Sequence, residues 1–135
     1  MASNATLKFN GKEYKDHVLS AKSESSKPVD SKNRASGLPT SGTSTFELKG
    51  GEDTNALLTD FYTHSKTFEA EFILREPNND EKEIKKIEYK GCSIVNYKWE
   101  YSSESDEPYT ITFTMVYESI KAPEGAEFKY HEAKN

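Results

Sequence analysis

Apolar and polar side chains alternate along most of the second half of the chain. Phe68, Ala70, Phe72 and Leu74 occupy every second position, and two similar rows follow. Their members are Ser93, Val95, Tyr97, Trp99, Tyr101 and then Tyr109, Ile111, Phe113, Met115, Tyr117. Because successive side chains of a strand point to opposite faces, each row predicts a strand with one face in a core. A charged strand over residues 84–90 and an acidic hairpin loop over 102–108 complete this half.

The first half opens with a predicted β-hairpin. Leu7 and Phe9 alternate with polar neighbours, and Asn10-Gly11 is a strong two-residue turn signal because both residues tolerate positive φ. The return strand is expected over residues 13–22. A further strand is expected over residues 42–49, with Phe46 and Leu48 facing inward.

One short helix is predicted, over about residues 54–63. Asp53 is the expected N-cap, and His64 lies at the expected C-terminal end, where the helix dipole favours a cation. Four large apolar residues fall on one helix face, namely Leu57, Leu58, Phe61 and Tyr62. The resulting fold class is mainly β: an antiparallel β-barrel, or closed two-sheet sandwich, with one short α-helix.

A long polar segment interrupts the strands between residues 23 and 40. It contains five serines together with Pro28, Gly37 and Pro39, and long loops of this kind are usually functional or disordered. The expected organisation is a disordered start or cloning remnant at 1–5 and a single domain at 6–122. That domain contains a loop at 25–40, and a C-terminal tail follows at 123–135.

The composition of the chain excludes several classes of function. The 135 residues have a net charge of −5, which argues against readers of nucleic-acid backbones and binders of anionic membranes. The first residues lack the basic start and apolar run of a secretory signal, so synthesis in the cytoplasm is expected. A single cysteine, Cys92, excludes an internal disulfide.

No catalytic set emerges from the reactive side chains. His17, His64 and His131 are isolated in the sequence, and Cys92 is expected to be an inert buried thiol. The remaining candidates are two groups of carboxylates and one aromatic row. Glu69 with Glu71 could form an acid–base pair but is interpreted as a solvated strand face, and Glu104, Asp106 and Glu107 lack the spacing of a calcium loop. Tyr97, Trp99 and Tyr101 could stack a ligand but are predicted to be core.

The outward faces of two strands are unusually poor in charge. They carry small β-branched residues: Thr110, Thr112, Thr114 and Val116 on one strand and Thr43 and Thr45 on another. Because monomers usually place charges on exposed sheet faces, we expect these surfaces to be covered by another subunit.

The order of elements, together with several local stretches, resembles the haemolysin-coregulated protein (Hcp) family, specifically its TssD branch. The stretches are residues 7–14, the loop at 30–34 with Gly42 after it, the helix at 53–62, Ile87-Glu88-Tyr89 and residues 108–120. The resemblance covers about residues 6–121. The sequence departs from the family at Asn33-Arg34-Ala35, where Gly-Arg-Pro is frequent, and at Phe61, where the family's helix often carries tryptophan.

This resemblance implies the tube subunit of the type VI secretion system. It implies homo-hexameric rings that stack into a tube, a contractile sheath, a spike protein, carried effectors and no catalysis or cofactor. It further implies that the loop contacts a neighbouring subunit or ring, through Lys27, Pro28, Asp30, Lys32, Arg34 and Leu38. The alternative is a monomeric, lipocalin-like β-barrel that binds a small ligand, and the mass in solution would discriminate between the two.

Overall fold

The computed structural model describes residues 4–15, 17–26, 32, 41–63, 66–76, 79–121 and 127–129. Nine strands and one α-helix lie in these ranges. The strands are β1 Ala5–Phe9, β2 Lys12–Tyr14, β3 Val18–Ser26, β4 Ser41–Lys49, β5 Phe68–Glu76, β6 Asn79–Tyr101, β7 Tyr109–Val116, β8 Ser119–Lys121 and β9 Glu127–Lys129. The helix α1, Asn55–Tyr62, follows a 3-10 turn at Glu52–Thr54. The mainly β fold class with one short helix is thereby confirmed.

All strand pairs are antiparallel, in the order β2-β1-β5-β6-β7-β4-β3, with β8 on β6 and β9 on β8. The sheet curls so that β3 returns into contact with β1. No ladder joins those two strands in the described ranges. The β9 strand lies within the segment expected to be a tail, and its pairing with β8 docks it onto the sheet.

The first hairpin forms as predicted, but its return strand is short. Asn10 and Gly11 have φ angles of 50° and 81°, the positive values that a tight hairpin turn requires. The return strand β2 ends at the buried Tyr14, whereas residues 13–22 were expected to form it. The chain then crosses to β4, where the Lys49 N–H donates to the His17 carbonyl at 2.7 Å, and β3 pairs with β4.

The prediction of two separate strands at residues 84–90 and 93–101 is wrong, because both belong to the continuous strand β6. Gly91 has φ of 68° and lies where the β5–β6 register shifts between Phe68 and Ala70. This extra residue bends β6, so that the strand pairs with β5 before the bend and with β7 after it. One strand therefore belongs to both halves of the curled sheet.

The core is filled mainly by aromatic rings. Phe9, Phe46 and Phe113 are at most 1% exposed, and the Phe113 ring lies 5.7 Å from Phe9 and 5.5 Å from Phe46 between centroids. Leu57 of α1 is fully buried. The inward positions predicted for β4 and β7 are thus confirmed.

Two details of the predicted helix are wrong. Thr54, not Asp53, organises the helix start: its hydroxyl donates to the Gly51 carbonyl at 2.7 Å and accepts from the Gly51 N–H at 3.0 Å. The four-residue apolar face is also incomplete, because Leu58 and Tyr62 are 42% and 73% exposed. The helix is only two turns long and lies at the edge of the core, so that one side of its apolar stripe has nothing to pack against.

The predicted core row on β6 is also wrong. Val95, Trp99 and Tyr101 are 53%, 62% and 66% exposed. A register shift at Val95 changes the inward parity, so that Ile94 and then Tyr97 face the core. Trp99 pairs with the buried Ile111 and therefore lies on the same face of the sheet as the core. Its side chain is nevertheless exposed, because the sheet extends beyond the packed core at this position.

No helix within the described part of the chain is long and apolar enough to cross a membrane.

Candidate assembly surfaces

The single thiol is buried and unreactive. Cys92 has no exposed surface, and burial raises the pKa of its thiol to about 12. A thiol that stays protonated at neutral pH is a poor nucleophile and a poor metal ligand. Within the described ranges, no group of three or more acidic, histidine or cysteine side chains is placed to hold a metal ion.

A histidine–carboxylate pair links the β2–β3 crossing to the 3-10 turn. The Nε2 atom of His17 lies 2.7 Å from Oδ2 of Asp53, and the ring of Tyr14 packs edge-on against the imidazole at 5.6 Å. Burial, reinforced by the carboxylates of Asp60 and Asp53, raises the pKa of Tyr14 to about 12. A phenol that remains protonated cannot serve as a base, and the His17–Asp53 pair ties the β2–β3 crossing to the 3-10 turn. His64 and His131 lie outside the described residues.

Four hydroxyl groups meet at one end of the core. The Ser44 Oγ lies 2.6 Å from Ser23 Oγ, 3.3 Å from the Tyr117 hydroxyl and 3.5 Å from the Tyr89 hydroxyl. Ser44 has no exposed surface. None of these four groups is a general base, so nothing in the cluster would activate a serine as a nucleophile.

Charged side chains form a row across the outer face of four strands. Lys8, Glu71, Glu88 and Lys121 lie in register on β1, β5, β6 and β8. The Lys8 Nζ is 3.8 Å from Glu71, and the Lys121 Nζ is 3.9 Å from Glu88. The carboxylate of Glu71 is therefore paired with a lysine, which agrees with a solvated strand face rather than an acid–base pair with Glu69.

The threonine-rich faces lie together on the outside of the sheet. Thr45 of β4 and Thr114 of β7 are opposite each other, with their hydroxyls 2.9 Å apart. Two residues before Thr114 on β7, Thr112 lies between Glu47 of β4 and Lys98 of β6. The uncharged part of this face is therefore smaller than the sequence suggested, and its burial against another subunit stays a prediction.

An open groove separates β3 from the ends of β5 and β6. Its volume is about 540 Å³. Its apolar walls include Phe46, Phe72 and Ile87, and Lys22 and Lys85 are the charged residues that line it. The sequence pattern did not predict this groove. The groove forms where two edges of the curled sheet come together without backbone hydrogen bonds between their described residues. We refer to it below as the groove.

Exposed aromatic side chains mark the opposite end of β6. Trp99 packs edge-on against Tyr109, with ring centroids 6.4 Å apart, and Tyr101 is paired with Tyr109 across the strands. Tyr109 lies directly against Gly50, whose N–H donates to the Tyr109 carbonyl at 2.8 Å. We refer to Trp99 and Tyr101, with the adjoining hairpin 102–108, as the aromatic end.

Of the six loop residues predicted to contact a neighbour, only Lys32 is described, and its side chain is exposed. The others, Lys27, Pro28, Asp30, Arg34 and Leu38, lie outside the described residues. The ends of the loop are defined, because Ser26 and Ser41 pair across β3 and β4. The strand β3 thus extends into the segment whose sequence predicted a loop from residue 23.

A family model described as hemolysin coregulated protein Hcp (TssD) matches residues 1–131. The chain belongs to the Hcp family. The resemblance noted in the sequence is thereby confirmed, and the chain is a tube subunit of the type VI secretion system. The lipocalin-like alternative is not favoured.

Solved structures share this Hcp fold. Hcp1 from Flavobacterium johnsoniae matches with a TM-score of 0.72 and 21% identity, over 93% of this chain and 98% of that one. Hcp1 from Salmonella typhimurium matches with a TM-score of 0.70 and 16% identity, over 96% of each chain. A tube-terminating cap of the anti-feeding prophage matches with a TM-score of 0.60 and 8% identity, over 93% of this chain and 88% of that one. None of the curated protein sequences matches the chain.

Proposed function

We propose that the chain forms homo-hexameric rings that stack into the inner tube of a type VI secretion apparatus. The observation that carries this proposal is the Hcp family match over residues 1–131, almost the whole chain. The surface supports it independently. Trp99 and Tyr101 are large side chains of one strand that an isolated subunit leaves more than 60% exposed, and contiguous exposed apolar surface marks interaction sites.

The partners follow from the same proposal. The tube is made from subunits synthesised in the bacterial cytoplasm, carries effector proteins, is capped by a spike protein and is propelled by a contractile sheath. The subunit acts without a cofactor and without catalysis of its own. The burial of Cys92 and the pairing of Glu71 with Lys8 agree with a structural role.

Mass and shape in solution test the ring. Light scattering on purified protein should give six times the 15.3 kDa chain mass, and negative-stain images should show rings with a central hole. A monodisperse monomer at tens of micromolar, with no rings in the images, would contradict the proposal. A monomer that also bound a small apolar ligand in the groove would favour the lipocalin-like alternative.

The loop is proposed to act in assembly rather than in folding. Lys27, Asp30, Lys32 and Arg34 supply both charge signs, which suits contact with another copy of the chain, and the pairing of Ser26 with Ser41 means that the hairpin can close without the loop's own side chains. Closing a long loop costs little more than closing a short one, about 0.6 kcal/mol per doubling of length. Folding therefore has little need of this segment.

A loop replacement tests this role. Substituting residues 27–36 with a short Gly-Ser turn should leave the melting temperature of the dissociated subunit within a few degrees. The same change should weaken ring stacking and abolish secretion. Failure to fold, or normal tubes and normal secretion, would show that the loop has been assigned the wrong role.

A further inference from the structure

We infer that the aromatic end of one subunit docks into the groove of the next, and that this head-to-tail contact closes the ring. The inference rests on the proposed function, since it names the surfaces through which copies of the chain would meet. It commits to a second copy of this chain as the occupant of the groove.

The groove offers an apolar receptor. Phe46, Phe72, Leu74 and Ile87 contribute to its walls, and Ala21 lines it from β3. Phe46 and Phe72 belong to the buried core, so that the walls are held in place by packing behind them. A rigid apolar concavity is the usual setting for an aromatic anchor from a partner.

The aromatic end offers a matching anchor. Trp99 and Tyr101 are 62% and 66% exposed on one face of β6, and Tyr109 supports the Trp99 ring from behind. Tryptophan and tyrosine are enriched among the residues that dominate binding energy at interfaces, because they bury large areas at low conformational cost. The aromatic end therefore presents the two residue types best suited to fill the groove.

The charges around the two surfaces are complementary. Lys22 and Lys85 line the groove, and neither forms an ion pair within the described residues. The hairpin beside Trp99 carries Glu104 and Asp106, which are exposed and also lack an ion-pair partner there. Opposite charges across an interface speed association and fix the orientation of the partners.

The contact is between copies. In the subunit the groove is open and Trp99 is 62% exposed, so that the subunit does not fill its own groove. Two different patches that meet head-to-tail form a heterologous contact, which closes into a ring when the rotation between copies permits it.

A mixing experiment tests the contact with two single substitutions. Trp99→Ala removes the anchor but leaves the groove intact. Ala21→Glu places a carboxylate in the groove, where it faces the acidic hairpin of the neighbour, but leaves the anchor intact; Ala21 is exposed in the subunit, so the change is compatible with folding. Each variant alone should dissociate at a concentration at least about thirtyfold above that of the wild type, the usual effect of losing a dominant anchor.

Mixed in equal amounts, the two variants should form a 1:1 dimer and nothing larger, because only one intact contact remains between them. Matched controls are Tyr62→Ala, which removes an equally exposed aromatic ring on α1, and Asn55→Glu, which adds the same charge at an exposed helix position. Both controls should assemble like the wild type. Melting temperatures of the dissociated variants check that each is folded.

Trp99 is the only tryptophan of the chain, so its fluorescence reports the contact directly. Emission should shift to shorter wavelength when wild-type rings form, as the indole leaves water. Rings that form normally from either variant, a mixture that stays monomeric, or loss of stacking with intact single rings would overturn the inference while leaving the proposed function in place. A wild-type protein that forms no rings would instead refute the proposed function.

Discussion

Gly50→Ala should destabilise the subunit through a collision with Tyr109. A Cβ at position 50 would overlap the van der Waals surface of the Tyr109 ring, for example at 2.6 Å from its Cγ, which is closer than real Cβ atoms approach other atoms. The backbone cannot easily move away, because the Gly50 N–H donates to the Tyr109 carbonyl at 2.8 Å. The φ angle of Gly50 is not in the positive range, so the cost comes from this contact alone.

The expected cost follows from two opposing effects. Overpacking of this kind typically costs about 1–3 kcal/mol. Replacing glycine by alanine restricts the unfolded chain and returns about 0.4–1 kcal/mol. The free energy of unfolding should therefore fall by about 1–2 kcal/mol, which for a domain of this size lowers the melting temperature by about 3–10 °C.

A double-mutant cycle isolates the collision. In a Tyr109→Ala background the ring is absent, so Gly50→Ala should become neutral or slightly stabilising, by up to about 1 kcal/mol. The assay is urea unfolding at a concentration where the subunits are dissociated. An equal cost of Gly50→Ala in both backgrounds would refute the reasoning, because it would place the strain elsewhere than at the Tyr109 ring.

Three further predictions concern stability. Phe113→Ala should lower the free energy of unfolding by about 3–5 kcal/mol, because the Phe113 ring is buried. Trp99→Ala removes a mostly exposed ring and should lower it by only about 1–2 kcal/mol. Urea unfolding of the dissociated subunit measures both values, and equal costs would contradict the difference in burial. Burial raises the pKa of Asp60, so its charge opposes folding at neutral pH; Asp60→Asn should raise the melting temperature at pH 7, with a gain that disappears below about pH 4. Because the pKa values of Tyr14 and Cys92 are raised to about 12, both groups stabilise the fold fully below their ordinary values and lose that contribution as the pH rises toward 12. Tyr14→Phe should flatten the fall in melting temperature above about pH 10. A pH profile of the melting temperature that is unchanged by this substitution would contradict the contribution assigned to Tyr14.

Patterns that depend on neighbouring residues were predictable from the sequence. The Asn10-Gly11 turn, the inward rows of β5 and β7 and the existence of one short helix are local, because turn conformation and side-chain alternation need no knowledge of distant contacts. Family membership was also accessible, since it rests on the order of these elements.

Features that depend on distant partners were not predictable. Alternation assigns Trp99 to a face of β6, but it does not say how far the core extends along that face. Two strands were predicted at residues 84–90 and 93–101, but Gly91 between them has a positive φ and bends one continuous strand. The signal was present, as a single glycine inside a period-2 run that continues on both sides.

The continuity of β6 has a mechanical consequence for a ring whose subunits are pulled apart. Its 23 residues are hydrogen bonded to β5 over one part and to β7 over the other, so that a force along the strand is shared by many hydrogen bonds acting in parallel. The groove borders the first half of this strand, and the aromatic end lies at its last residues. With these two surfaces as the ring-closing contacts inferred above, load entering a subunit at one contact would leave it at the next through a single covalent chain, without having to pass across the packed interface between two halves of the barrel. The subunit would then deform little between its contacts, and the compliance of the ring would reside in the joints between subunits.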